Sequence, residues 1–360
     1  METWDVIIIG AGIIGLSLAI SLRKQGLRVL VVERGEPGRE ASYAAAGMIA
    51  PAGAEIPKAL SSLAEASARK YPEFVHELED ESGMKVDFRE QGTILLSANS
   101  KFPSTMELLS SDGLRSLEPE LAVQKICNEN LRAALINEQS VDPRLLTAAA
   151  IEAARHRGVD ISSGTEVKTV VISGDRAVGV QTERTTYSAA IVVNCAGAWA
   201  GTVPPHQFPV RPVKGQMLAV VQGPGLKQVL RSDKVYVVPR SDGRLVIGST
   251  LENSGYNKDI NVNTIESLFQ AAVELLPRLE KSRRRDAWAG LRPGTPDHLP
   301  ILGETSTRGY FAATGHYRDG ILLAPITADV MTSIILDRAS ECDIAKFSPA
   351  RFQSGAHQSV

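Results

Sequence analysis

The sequence predicts an α/β protein in two parts: a parallel sheet flanked by helices, and a second, mostly antiparallel β (α+β) part inserted into it. Three stretches predict this. The apolar run Val6–Ile9 breaks into Gly10-Ala11-Gly12-Ile13-Ile14-Gly15, then a helical pattern to Lys24 and a second β-branched run, Arg28 to Val32. A later apolar run, Ala190–Val193, ends in the small residues Asn194-Cys195-Ala196-Gly197-Ala198 before Trp199. Between 207 and 290, short alternating runs (Met217–Val221, Val235–Pro239, Leu245–Ser249) flank the hairpin signal Asp242-Gly243.

The first stretch carries chemistry. Strand, G-x-G-x-x-G turn, helix and strand, closed by the acid Glu33, make up the Rossmann-like dinucleotide fingerprint. Gly10 allows the sharp turn, Gly12 lets a pyrophosphate approach the backbone, and Gly15 lets helix and strand pack closely. Phosphates are then held by free amides at the positive end of the helix dipole. Glu33 is placed for ribose hydroxyls, and its charge disfavours a 2′-phosphate. FAD and NAD both fit the fingerprint.

Composition narrows the rest. The 360 residues suffice for about two domains with a real core. Acids slightly outnumber bases (41 against 39), which argues against a nucleic-acid partner, and Arg283-Arg284-Arg285 reads as a solvated helix end. Cys127, Cys195 and Cys342 are too scattered for a disulfide framework or a zinc site, so no metal is expected. Val6–Leu22 is uncharged, yet acids precede it and glycines cut it, so neither a membrane span nor a leader is expected. A cytoplasmic protein is the expectation.

Along the chain, Gly35–Pro57 is rich in Gly, Ala and Ser, and Ala41–Met48 has almost no bulk. A flexible loop or small-residue helix would fit. With the fingerprint upstream, a segment lying flat against a bulky cofactor fits better. Leu60–Glu81 has helical spacing ended by Gly83, Val86–Ala98 reads as a strand around Gly92, and Leu-rich helical pieces are expected near Met106 and Leu114. Asp142-Pro143 is an N-cap with proline at the first helical position, and that helix stops at Gly158. Strands follow at Val159–Ile161, Val167–Ile172, Ala177–Thr182 and Ala190–Val193, read as a three-stranded meander and a strand returning to the sheet. Cys195 reads as a small buried residue rather than a nucleophile. Pro204–Pro212 reads as a crossing between domains, and Thr264–Leu276 as an amphipathic helix. Trp288–Asp297 is too rich in glycine and proline for a regular element. Tyr310–Ala313 is expected as a strand, Thr314–Asp319 as a loop leading into a long helix, and the polar tail from Ser348 as frayed. The expected layout is a discontinuous nucleotide-binding domain (1–80, 141–206 and 291–360) interrupted twice by a mostly β second domain (81–140 and 207–290), with a cleft between them.

Four stretches together resemble the D-amino-acid oxidase and glycine oxidase family of FAD-dependent enzymes, over nearly the whole chain: the fingerprint with Glu33-Arg34, Ser42–Met48, Trp288–Thr295 and Gly315–Pro325. The last two look most like glycine oxidases of the thiamine-biosynthesis type. The resemblance makes the two domains FAD-binding and substrate-binding, and implies non-covalent FAD. Its contact positions fall on Gly10, Gly12, Ile13, Ile14, Gly15, Glu33, Arg34, Ala41, Ser42, Ala46, Gly47, Met48 and Val167, and on the loop Gly315, His316, Tyr317, Arg318, Asp319, Gly320, Ile321 and Leu322. The helix after that loop would point its N-terminus at the pyrimidine end of the flavin. Arg292 and Tyr236 match the pair that holds the substrate carboxylate, a task suited to a forked guanidinium. Arg318 is a further catalytic candidate. Gly290 stands where sarcosine-type oxidases tether the flavin through cysteine, so no covalent link is expected. Lys234, where histidine is found, and Leu251, where methionine lines the pocket, are departures expected to touch substrate preference.

The function implied is oxidative deamination of glycine or another small amino acid (sarcosine, D-alanine, D-proline), with O2 as electron acceptor, by a homotetramer. Orientation and stabilisation of the reduced flavin carry catalysis, without a side-chain base. The alternatives are a D-amino-acid dehydrogenase passing electrons to quinone and a sarcosine or D-proline oxidase. A flavin-bearing scaffold without turnover has no use for a carboxylate clamp, and a pyridine-nucleotide dehydrogenase lacks a second fingerprint. No amphipathic basic helix suggests membrane docking.

Overall fold

The computed structural model describes residues 3–51, 56–98, 102, 106–129, 131–221 and 225–355. Among these, the strands form an eight-, a seven- and a three-stranded sheet. The eight-stranded sheet carries the fingerprint. Thr3–Ile9 lies between Val29–Val32 and Thr186–Asn194, parallel to both, with Asp160–Ser162 and Tyr310–Thr314 extending the parallel set. Side chains alternate between two buried faces. Val6, Ile8, Val29 and Val31 pack under the helices Ile13–Lys24, Ser61–Ser82, Pro143–His156 and Ala324–Ile335, while Ile7, Ile9, Leu30 and Val32 join a second core. Burial on both faces explains why these strands read as unbroken apolar runs.

The meander differs from expectation: its expected first strand, Val159–Ile161, falls on Asp160–Ser162, which pairs parallel with Val29–Val32 in the main sheet. Val167–Ser173 and Arg176–Thr182 pair antiparallel, but its third strand, Thr186–Asn194, is itself the strand that returns beside Thr3–Ile9. A nine-residue strand is long enough to pair at one end with the meander and at the other with the parallel sheet.

The seven-stranded sheet runs Arg283–Gly294, Arg211–Val221, Arg244–Gly248, Tyr236–Pro239, Val229–Ser232, Thr93–Ala98, Leu131–Ile136. Its outer face packs on the amphipathic helix Val262–Leu275 and the short helices Ser111–Leu117 and Val123–Asn128. Residues 106–110 are not helical; Ser110 instead caps the helix that follows, its Oγ accepting from the Gly113 amide at 3.0 Å.

Three more expectations change. Val86–Ala98 is not one strand: Phe88–Arg89 joins the small sheet with Met48–Ile49 and Gln139–Val141, and Thr93–Ala98 the seven-stranded one. Gly92, at φ 83, makes the turn between them. Trp288–Gly294, expected to be irregular, completes a twelve-residue edge strand from Arg283, so Arg283–Arg285 begins a strand rather than ending a helix. An edge strand needs ladder bonds on one side only, which admits Pro293. Its open side is used elsewhere, since the Pro293 carbonyl accepts from the Tyr317 amide at 3.0 Å. The tail is tied down as far as it is described: Phe347 is buried, Pro349–Gly355 is helical, and Arg351 bonds Asp297 and the Leu299 carbonyl. Its last residues, 356–360, lie outside the described residues, as does the side chain of Cys127.

Candidate active site

One cleft, of about 380 Å³, receives residues from both large sheets. That volume is in the range of small-molecule and cofactor clefts, on the order of 300–1,000 Å³. At one end the fingerprint forms its wall. Gly10, Gly12, Ile13 and Ile14 line it, and the helix starting at Ile13 has no side-chain cap at Gly12. Gly15 does not line the cleft; a Cβ there would collide with the Gly10 carbonyl, the close helix–strand contact assigned to this glycine. Glu33 sits at the end of its strand and accepts from the amides of Ala11 and Gly35, both at 2.9 Å, which fixes the carboxylate at the cleft. Arg34 lies over the Trp199 ring at 3.7 Å, and Tyr256 stacks on the same ring with centres 5.4 Å apart.

The small-residue segment is a short helix, Ala41–Ala44, followed by the strand Met48–Ile49. Ser42 Oγ accepts from the Ile13 amide at 2.9 Å, joining this segment to the fingerprint. Ala41, Ser42, Ala46, Gly47 and Met48 all line the cleft, as does Val167. Gly290 lines it too, and an added Cβ would collide with Ala44 Cβ, so a bulkier tethering residue has no room there.

From the other side come His316, Tyr317, Arg318, Asp319, Gly320, Ile321 and Leu322. Gly315 does not line the cleft; at φ 74 it turns the chain off the Tyr310–Thr314 strand. The following helix begins at Ala324, later than expected, because turns occupy 320–323. His316 is buried with Nε2 3.1 Å from Thr327 Oγ1, and burial pushes its imidazole down to about 3. It is therefore neutral at working pH, which leaves it no role as a titrating base.

Arg292 and Tyr236 line the same cleft from the first and fourth strands of the seven-stranded sheet, Arg283–Gly294 and Tyr236–Pro239. Arg292 Nη1 donates to the Thr250 carbonyl at 3.1 Å and Nη2 to Ser249 Oγ at 2.7 Å. Burial draws its guanidinium below the usual arginine range; the adjacent Tyr236 opposes this and the Arg318 cation adds to it. The Tyr236 hydroxyl lies 3.7 Å from Met217 Sδ. Two glycines make room for the pair. A Cβ on Gly215 would collide with the Arg292 guanidinium, and one on Gly248 would stand 2.7 Å from Tyr236 Oη.

Two expectations fail here. Lys234 is largely exposed, 3.7 Å from Glu274, and does not line the cleft; Leu251 is 55% exposed and does not line it either. Both sit just outside strand ends, where the backbone leaves the sheet. Conversely, Arg231, Ser249 and His298 line the cleft without having drawn notice in the sequence. His298, at φ 59, stacks on Tyr317 with ring centres 4.7 Å apart. Cys195 also lines it, buried, its thiol pushed well up by burial and so unreactive.

The cradle fits FAD on these grounds: a helix N-terminus whose N-cap glycine supplies no side chain, glycines where a backbone must be approached, a fixed carboxylate at the strand end, and a low-bulk wall opposite. Among the described residues, no group of acids, histidines and cysteines could hold a metal ion, and no helix is long and apolar enough to cross a membrane.

Comparison with known proteins agrees. The profile of the family DAO, FAD dependent oxidoreductase, matches residues 5–334. The chain is 36% identical to the bifunctional protein ThiO/ThiG of Trichormus variabilis, over 98% of its own length and 56% of that protein. It is 34% identical to glycine oxidase of Pseudomonas aeruginosa, over 96% and 98% of the two chains. The crystal structure of glycine oxidase from Geobacillus kaustophilus superposes with a TM-score of 0.90 at 30% identity, covering 98% of this chain and 99% of that one. The chain thus spans about half the length of its bifunctional relatives and nearly all of the glycine oxidases.

Proposed function

Since the chain belongs to the family of FAD dependent oxidoreductases, we propose that it is an amino-acid oxidase acting on glycine and other small amino acids such as sarcosine, D-alanine and D-proline. The products are the imine, hydrolysed to the 2-oxo acid and ammonia, and hydrogen peroxide from O2. The observation that carries this reading is a half-buried arginine, anchored through Ser249 and Thr250, in the same cleft as the dinucleotide fingerprint. The likeness to glycine oxidases supports glycine as a substrate. The resemblance to the thiamine-biosynthesis type supports glycine imine as a precursor of the thiamine thiazole.

FAD, when bound, supplies the two-electron oxidant. Gly10, Gly12, Ile13 and Ile14 would hold its phosphates and Glu33 its ribose. Arg34, Ala41, Ser42, Ala46–Met48, Val167 and His316–Leu322 would line the remainder. Arg292 grips the substrate carboxylate through two parallel N–H donors, and Tyr236 adds its hydroxyl. That grip fixes the α-carbon and its hydrogen. Neutral His316 adds no positive charge to the cleft that holds Arg292. Arg318 lines the same cleft and is assigned to its substrate side as a second cationic group.

The same reading divides the chain into an FAD-binding domain (1–80, 141–206, 291–360) and a substrate-binding domain (81–140, 207–290). Membership of the two large sheets supports it, and the strand Arg283–Gly294 carries the clamp across the junction. A cytoplasmic setting is supported by the free thiols of Cys195 and Cys342, and a homotetramer by the resemblance alone.

The test is steady-state peroxide release with glycine. Arg292→Ala is expected to raise KM about a hundredfold or more, from loss of charge-assisted bonds of about 1.5–3 kcal/mol each. Tyr236→Phe is expected to raise it about three- to tenfold. An Arg292→Ala enzyme with unchanged KM contradicts the assignment.

A further inference from the structure

A small monocarboxylic amino acid needs one cation for its carboxylate, and Arg292 supplies it. The cleft offers another, beside Tyr236. On the strand Val229–Ser232, Leu230 points into the outer core with Val237 and Ile247, so alternation turns Arg231 to the opposite face, where it lines the cleft. Its direct cross-strand partner is Tyr236.

Arg231 is held from behind. Its Nη2 lies 3.2 Å from Glu138 Oε1, with side chains 16% and 1% exposed. No other hydrogen bond is made by the Arg231 guanidinium among the described residues, and Glu138 Oε2 is buried without a partner. The other N–H groups of this guanidinium are not among the buried atoms that lack a partner, so they open onto the cleft and can take a further acceptor. Glu138 offsets the charge without filling the fork.

We infer that Arg231 is a specificity-determining residue: it gives the substrate end of the cleft a second carboxylate site, so that amino acids carrying a further carboxylate on the side chain or on nitrogen are taken as well as the small ones. This rests on the oxidase reading above and adds a substrate class to it. The oxidised bond is the same; only the group that selects the substrate is added. Ser249 and Thr250 orient the first cation, and Glu138 orients the second.

The test compares anions that cannot be oxidised. Malonate, succinate and glutarate are titrated against acetate, propionate and butyrate, following the visible spectrum of the FAD-loaded protein. At least one dicarboxylate is expected to bind about tenfold or more tightly than its monocarboxylate counterpart. Arg231→Gln should bring the ratio to within about twofold, and Arg231→Lys, which keeps the pair with Glu138 but loses the fork, should lose most of it. Glu138→Gln, which frees Nη2, should raise it. In turnover, D-aspartate or D-glutamate should exceed its amide counterpart in kcat/KM, and Arg231→Gln should reverse that order. Equal binding of mono- and dicarboxylates by the native protein overturns the inference, as does a ratio that survives in both Arg231 variants. If glycine yields peroxide while that ratio stays near one, the second site falls and the oxidase reading stands. If no amino acid yields peroxide and no anion moves the spectrum, both fall.

Discussion

At the scale of single residues, the clamp depends on what is missing beside it. Gly215 leaves the space that the Arg292 guanidinium fills, and Gly248 the space beside Tyr236 Oη. Gly215→Ala therefore displaces Arg292 from the Thr250 carbonyl and Ser249 Oγ, at an overpacking cost of about 1–3 kcal/mol. Substrate KM should rise about tenfold or more with FAD content unchanged, measured by kinetics and flavin absorbance on the same preparation. His316 provides a pH signature. Its folded value, about 3, lies below the unfolded value of about 6.5, so the unfolded chain takes up the proton first as pH falls. Stability from this group is complete above about pH 6.5 and is lost as pH falls toward 3, amounting to about 2 kcal/mol by pH 5. Thermal unfolding from pH 7 to 5 should show a smaller loss in His316→Gln, whose amide can still reach Thr327. An identical loss in both proteins would remove His316 as its source.

Between elements, one carboxylate joins three parts of the fold. Asp142 Oδ1 accepts from the Arg144 amide at 2.8 Å and so caps the helix Pro143–His156. Its Oδ2 takes Arg244 Nη2 at 2.7 Å and lies 3.8 Å from Arg240 Nε. Arg240 in turn donates to the Ala46 carbonyl at 2.6 Å, in the low-bulk wall of the cleft. Burial brings Arg240 down to about 10, with Asp142 opposing that fall. Removing Asp142 takes away the cap, about 1 kcal/mol, and leaves the buried Arg240 without its ion-pair partner, about 3–5 kcal/mol, while Arg244 keeps Asp242. Asp142→Ala should unfold at markedly lower denaturant than Asp142→Asn, which retains the cap; equal midpoints would contradict this division. The capped helix was legible because its signal is local, Asp followed by Pro. The edge strand Arg283–Gly294 was not, because its glycines and prolines contradict strand propensity and only pairing with Arg211–Val221 overrides them. The split at Gly92 was hidden likewise, since partners in two different sheets leave no mark on the strand itself.

For the whole molecule, the cleft is where two sheets of different character meet, and each half was legible to a different degree. The fingerprint half was nearly complete in the sequence, because its glycines and Glu33 act through backbone geometry at fixed spacing. The substrate half was legible only at Arg292 and Tyr236. Arg231, Ser249 and His298 reach the cleft through tertiary placement, while Lys234 and Leu251, near them in sequence, point away. Face alternation decides which neighbour lines a site, and that alternation depends on strand register. The account's central claim is that these halves together oxidise an amino acid. Its most direct test is aerobic peroxide release by the purified protein with glycine, sarcosine, D-alanine and D-proline, alongside its visible spectrum. A yellow protein releasing peroxide with an amino acid is the predicted result. A protein that takes up no FAD and releases no peroxide with any of them contradicts it.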